Sequence, residues 1–449
     1  GTSTGAGNVV VFNSTGNLKI DDVTVEGSKR GGWRAVEVFS GSAVISNSTF
    51  NCYYGSAVNS SNADVTLNDC DITVTGMYSA PYNSVCFSVM NGGKLTVNGG
   101  NYKMINNNTF ATGDTHGGWL GIVMNSGGTL ILNDGIFENV PAEGFNRNYE
   151  RAIIEAENLD PATAKVVFAG GKYKPQYNKV VSGYGDKEYP VLVGADKLAD
   201  TDGDGWYTLE DNKGYVVDGD EYLVSTGAGL AAAVVDAPAT ANISLTADVD
   251  LTGVEYTPRS FSKLVFEGNN HTISGVKVEN ANQAALFGKT WNFDIKNVTL
   301  ANSTFVGQNI DGEDAAAGFI GFYQAYSAGS KITNCHIENC TIGSAKYVGG
   351  LVAYKDGSNY SVAIDNCSVK NSTIVSKYTE DAGANYKGHV GGLVGYHAGD
   401  TATTITNCVV ANNTFDVLGP RCGLFMGTAQ MNIAVSGSVS GNAGLAQLC

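Results

Sequence analysis

The sequence predicts an all-β chain, a right-handed parallel β-helix (a solenoid), in two segments set in tandem. Three observations predict it. The chain repeats itself, each repeat holds Asn, Asp or Gly at one fixed place, and helical patterning is almost absent.

The repeat is clearest around "GHVGGLVGYHAGD", residues 388–400. "GGLVGY" at 391–396 recurs as "GGLVAY" at 349–354 and "AGFIGF" at 317–322, with weaker copies "AALFGK" at 284–289 and "CGLFMG" at 422–427. The leading apolar column is Leu286, Phe319, Leu351, Leu393 and Leu424, at a spacing of roughly 31 to 42 residues. The glycines look like a phosphate loop, but such a loop needs a helix after it, and here "TATTITNC" follows, another strand. Gly391 and Gly392 are therefore assigned to coil geometry, letting the chain turn into a strand with Leu393 facing the core. Any binding at this stretch would run through the varying positions His389 and His397.

A second signature follows each copy: "IKNVTL", "ITNCHI", "IDNCSV" and "ITNCVV" in the C-terminal half. The N-terminal half keeps the register in other letters, as in "IDDVTV", "ISNSTF" and "LNDCDI". The third position reads Asp22, Asn47, Asp69, Gly99, Asp134, Gly170, Gly275, Asn297, Asn334, Asn366, Asn407 and Gly437. These residue types tolerate left-handed backbone angles, so each repeat is predicted to carry a strand, a sharp bend and another strand. Coils stacked about 4.8 Å apart would place equivalent side chains in columns, and Asn could form amide ladders. A β-propeller has a similar period but needs four antiparallel strands per blade.

The columns explain the cysteines. Cys335, Cys367 and Cys408 share one column with Cys70, where a small buried hydrophobe is expected, as reduced thiol. Nine cysteines is an odd number, so at least one does not pair within the chain.

Two stretches break the pattern. Residues 174–220 hold no clean repeat, and "GAGLAAAVVDA" at 227–237 reads as one short helix, suited to capping an open coil. The predicted organisation is a first β-helix over 1–185, an acidic connector with a β-hairpin over 186–220, and a second β-helix over 221–449. The chain starts within a coil and stops just after one, so flanking domains or partners are expected.

Composition bounds the function. The 449 residues include 58 Gly and 8 Pro, and a net charge of −16 argues against nucleic acid or an acidic membrane surface as partner. No apolar run is long enough to span a bilayer, so membrane attachment would need an anchor outside this sequence. The opening "GTSTGAGNVVVF" is not a signal peptide, and export has to be inferred from other features. Five histidines without HExxH, and no CxxC, give no zinc pattern.

The "GGLVGY" elements resemble the GLUG motif of secreted bacterial surface proteins. "ISLTADVDLTG", "LVFEGNNHTISGVKV" and "IKNVTLANSTF" resemble the opening coils of pectate-lyase-like β-helix proteins. The resemblance covers about 221–449 well, and 8–173 only as coil pattern. It implies an extracellular protein at a bacterial cell surface. It implies no particular activity, since this fold hosts lyases, glycosidases, adhesins and tailspikes.

The residues offer three kinds of candidate site. Enzymes of this fold resemble one another in their acidic and basic sets, and here only fragments occur: Asp21–Asp22, of which Asp22 is a bend residue, and "THGGW" with His116. Asp114, His116, Arg147 and Arg151 lie in or near insertions of the first half, and no catalytic residue is assigned. "DTDGDGWYTLED" places Asp200, Asp202 and Asp204 at calcium-loop spacing, with Gly205 at the sixth position and Asp211 at the twelfth; an ordinary β-turn is the expected reading, no cofactor is assigned, and a calcium loop is the alternative. Tyr53, Tyr54, Tyr78, Tyr82, Tyr149, Tyr177 and Tyr184 stand outside the strand columns, as surface aromatics that contact sugars or proteins do. The expected function is a non-enzymatic adhesin or scaffold for a host or dietary glycan or a surface protein. The alternative is a polysaccharide lyase or glycoside hydrolase, including a tailspike-like depolymerase.

Overall fold

The computed structural model describes residues 10–27, 34–53, 55–76, 84–106, 121–123, 127–141, 152–156, 164–176, 180–183, 191–308, 314–324, 329–344, 346–356, 360–376, 388–398, 403–417, 421–429 and 434–444. The chain divides into two compact units between Asn212 and Lys213. The described structure is nearly all strand, and most pairings are parallel.

In the first unit, Arg34–Ser46, Asp64–Gly76, Gly93–Asn106, Gly128–Pro141 and Ala164–Phe168 pair in that order, all parallel. Alternation sends one apolar column inward on each side of the bend. Before it run Ile45, Leu67, Val97 and Leu132; after it run Phe50, Ile72, Tyr102, Phe137 and Tyr173, all buried. A second row pairs Ser56–Ser61, Val85–Met90, Gly121–Val123, Ile154–Ala156 and Val181–Gly183. An antiparallel pair, Leu198–Ala199 with Thr208–Leu209, follows near the unit's end.

The second unit opens on an antiparallel pair, Tyr215–Asp218 with Glu221–Val224, and then the helix Gly227–Asp236, where the sequence placed it. Thr226 caps it, its hydroxyl accepting from the Gly229 amide at 2.9 Å, and Leu230, Ala233 and Val234 enter the core. Parallel stacks follow. One runs through Lys263–Ser274, Phe293–Ala301 and Ser330–Glu338 to Thr404–Ala411 and Ala434–Ser440. A second runs Lys277–Ala281, Thr304–Gly307, Thr341–Ser344, Thr373–Ser376 and Thr414–Val417. A third runs Gln283–Ala284, Ala315–Ala317, Tyr347–Gly349, His389–Gly391 and Arg421–Gly423. The last runs Phe287–Thr290, Ile320–Gln324, Val352–Asp356, Val394–His397 and Met426–Ala429.

Left-handed backbone occurs at most of the predicted bend residues, including Asp22, Asn47, Asp69, Gly99, Gly275, Asn297, Asn334, Asn366 and Asn407. Asp134 and Gly170 are exceptions, because the positive φ moves one residue on, to Gly135 and Gly171. Gly437 is another: it pairs with Cys408, so the final turn skips the bend residue. The amide ladder forms, with Asn334 Nδ2 donating to Asn297 Oδ1 at 3.0 Å and Asn366 Nδ2 to Asn334 Oδ1 at 3.1 Å. A second bend column, Asn280, Asn302, Asn339, Asn371 and Asn412, also has positive φ.

The cysteine column lies in the core. Cys335 Sγ donates to Thr333 O at 3.3 Å, and Cys367 and Cys408 repeat this toward Asp365 O and Thr406 O, both at 3.2 Å. Contact with Cys335 holds the Cys367 thiol well above its ordinary pKa, and contact with Cys367 followed by burial does so for Cys408. Thiolate is the reactive form. The folded protein is therefore expected to resist alkylation at Cys367 and Cys408 at pH 8, and at Cys335 because its side chain is fully buried, while denatured, non-reduced protein takes the reagent at all three. An intact mass showing them still blocked after denaturation would mean a disulfide.

Candidate functional site

The third and fourth stacks of the second unit meet at a corner with its own apolar cluster, separate from the main core. Ala285, Ala315, Ala317, Tyr347 and Ala353 form it, with Tyr354 and Tyr396 packed against them. Alternation explains the separation: Val348 and Val390 point into the main core, so Tyr347 and His389 lie on the opposite face.

Two columns line the corner. One is Gln283, Ala315, Tyr347, His389 and Arg421; the other is Lys289, Phe322, Tyr354, Tyr396 and Thr428. Across the corner the Tyr347 and Tyr354 rings approach to 4.5 Å, as do His389 and Tyr396. Along it, Tyr354 and Tyr396 stack at 5.3 Å with planes 8° apart. Tyr354 and Tyr396 are half-buried.

Glycine makes the corner possible. A Cβ on Gly349 would stand 2.0 Å from Val352 O, on Gly391 1.9 Å from Val394 O, and on Gly392 1.9 Å from Leu424 O. None of the three has a positive φ. The repeat's glycines thus provide room for backbone against backbone, and do not serve a left-handed turn.

His389 is buried and its pKa falls to about 4, through burial first and then the charges of Arg421 and Lys346. It is neutral near pH 7. Arg421 Nη1 donates to His389 Nε2 at 3.3 Å, which leaves the proton on Nδ1 to be donated to Thr428 Oγ1 at 2.8 Å. His397 is also fully buried, paired in register with Lys355. Binding at this stretch, expected to run through His389 and His397, would therefore have to reach two buried side chains.

The acidic loop is built as a turn. Asp200 Oδ1 accepts from the Gly203 and Asp204 amides at 2.8 and 3.1 Å, and Oδ2 from Gly205 at 3.0 Å. Asp204 Oδ1 accepts from the Trp206 amide at 2.9 Å, and Asp211 takes a left-handed φ of 49°. Among the described residues no three His, Cys, Asp or Glu side chains converge as a metal site. Calcium binding here would require Asp202 and Asp211 to close on Asp200 and Asp204. Asp200→Ala is expected to cost about 0.5–2 kcal/mol, as at a lost cap, read by denaturant unfolding. Calorimetric titration checks the cation: saturable heat at millimolar calcium, abolished in Asp202→Ala, supports the calcium loop, and no heat supports the turn alone.

Asp114, His116, Arg147 and Arg151 lie outside the described residues, as do Tyr54, Tyr78, Tyr82, Tyr149, Tyr177 and Tyr184; Tyr53 is half-buried at the end of Thr49–Tyr53. Asp21 and Asp22 sit at a bend, where Asp21 Oδ1 accepts from Asn47 Nδ2 at 3.1 Å. Two other carboxylates, missed in the sequence, are buried on the second row of the first unit. Glu37 accepts from Asn59 Nδ2 at 3.2 Å and pairs with Arg34, and Ser88 Oγ donates to Asn59 Oδ1 at 2.6 Å. Glu155 is the other. The register Glu37, Asn59, Ser88, Ile122, Glu155 separates them by four strand spacings, about 19 Å. Glycoside hydrolysis needs carboxyls about 5–9.5 Å apart, so these two do not form a catalytic pair.

Residues 221–315 match the model of a family described as "Putative pectate lyase-like adhesive domain". The match holds the first rungs of the aromatic corner, Gln283, Lys289 and Ala315. No curated protein matches the chain. Among solved structures it is similar to one titled "Crystal structure of a putative immunoglobulin A1 protease from Bacteroides ovatus", at 16% identity and a TM-score of 0.29, over 52% of this chain and 86% of that one. At that score the likeness speaks for neither fold nor activity.

Proposed function

We propose that the chain is an exported bacterial cell-surface protein, an adhesin or glycan- or protein-binding scaffold without enzymatic activity, on two right-handed parallel β-helices with GLUG-type repeats. The observation that carries this reading is the match of residues 221–315 to an adhesive-domain family. The stacked parallel strands support it, since a rigid solenoid holds surface side chains in fixed rows and suits extended ligands. The separation of Glu37 from Glu155 weighs against hydrolysis at that face.

The test is a glycan array run beside a reducing-sugar assay on plant and host polysaccharides. The expected result is binding with no product formed. Release of reducing ends by the pure chain would replace this reading with the polysaccharide-degrading one.

A further inference from the structure

The aromatic corner differs in charge from the rest of the chain. The sequence holds 43 Asp and Glu against 27 Lys and Arg, yet its two lining columns contain no carboxylate. They contain Lys289 and Arg421, and Lys346 stands beside Tyr347.

Each cation is set against an aromatic ring. Lys289 Nζ lies 4.6 Å from the Phe322 ring centroid and Lys346 Nζ 5.4 Å from that of Tyr347, while Arg421 bonds His389. Neutral His389 adds no charge of its own. Two acidic groups flank the columns: Asp356, two residues past Tyr354 and half-buried, and Asp314, beside Ala315 and fully buried, which accepts from Ser344 Oγ at 2.9 Å.

The rings narrow the ligand further. Sugars without charge bind aromatic side chains through ring faces. Here the Tyr354 ring lies between Tyr396, stacked on it at 5.3 Å, and Phe322 at 4.6 Å, so neighbouring rings occupy its two sides. Recognition at such a row depends on polar groups and cations.

We propose that this corner binds an anionic polysaccharide, with carboxylate or sulfate groups met by Lys289, Lys346 and Arg421 and the chain lying along the Tyr354–Tyr396 row. The assignment rests on the binding-scaffold reading and names the ligand class for it. Spacing favours an extended ligand, because the rungs repeat every strand spacing of about 4.8 Å and the cations lie at different rungs.

The experiment measures binding of the full chain to immobilised heparin, polygalacturonate, dextran and poly-glutamate at low and high salt. Heparin separates sulfate from the carboxylate of polygalacturonate. At least one is expected to bind, with affinity falling as salt rises. Arg421→Gln and Lys289→Gln are each expected to weaken it about two- to fivefold, and Asp356→Asn to strengthen it. Circular dichroism of each variant checks its fold, and the opposite signs separate charge from damage. Salt-insensitive binding of dextran alone would overturn the anionic assignment and leave the scaffold reading standing. Equal capture of poly-glutamate would make this an acidic-peptide surface. Binding to none of the glycans here, with the array also blank, would take down the glycan-scaffold reading itself.

Discussion

Gly391→Ala is expected to destabilise the second unit by about 3 kcal/mol or more, a large loss for adding one methyl group. The added carbon would stand 1.9 Å from Val394 O and 2.7 Å from Gly427 N. Both are backbone atoms held in parallel ladders on either side, so neither can yield as a flexible side-chain tip could. The third and fourth stacks would have to part, opening the cluster around Tyr347. Gly253→Ala is the matched control. Gly253 has a φ of +77° with nothing within 4 Å of a new Cβ, so alanine there costs only left-handed strain, about 1–2 kcal/mol. Denaturant unfolding compares the two, and hydrogen exchange over 347–356 and 389–397 localises the loss. A Gly253→Ala cost equal to that of Gly391→Ala would restore the conformational reading of the repeat's glycines.

That contrast marks the limit of what the letters convey. A glycine kept for room and one kept for a left-handed angle look alike in a sequence. Only the distance from Gly391 to Val394 O, across a corner, tells them apart. The bends were legible because Asn, Asp or Gly recurred beside an alternating strand, a signal contained within six residues. The second bend column was equally present, as "NST", "NCT", "NST" and "NNT" from Asn302, Asn339, Asn371 and Asn412, but blended into the strand that follows.

The aromatic corner shows the same division. Phe322, Tyr354 and Tyr396 end three copies of the repeat, so an aromatic at that position was visible. That they lie outside the core was not. Strict alternation from Ile320, Val352 and Val394, which face the core, would have sent them inward. Alternation breaks there: Ile320 and Tyr323 both lie in the core, Phe322 between them does not, and Tyr354 and Tyr396 in register with Phe322 pack on the corner cluster. In the sequence the candidate binding aromatics are the tyrosines outside the strand columns, where loops carry function, and Tyr354 and Tyr396 sit inside those columns.

In the first unit the largest expected effect falls on Phe137→Ala. Phe137 is fully buried between two rings of neighbouring coils, Tyr102 at 5.1 Å with planes 13° apart and Tyr173 at 5.0 Å with planes 7° apart. Truncation of a buried Phe costs about 3–5 kcal/mol in lost transfer and cavity, and each aromatic pair adds about 0.5–1.5 kcal/mol. Collapse around the gap is hindered on both sides. Tyr102 donates its hydroxyl to Gly99 O at 2.9 Å and Tyr173 donates to Gly170 O, which ties each ring to its own bend. Phe137→Leu refills most of the volume without the ring and is expected to recover more than half of the loss. Tyr102→Phe removes one hydrogen bond and should cost about 1 kcal/mol. Denaturant unfolding ranks the three. If Phe137→Ala cost no more than Tyr102→Phe, the coils would be closing over the cavity, and the stacked rings would contribute little to holding neighbouring coils in register.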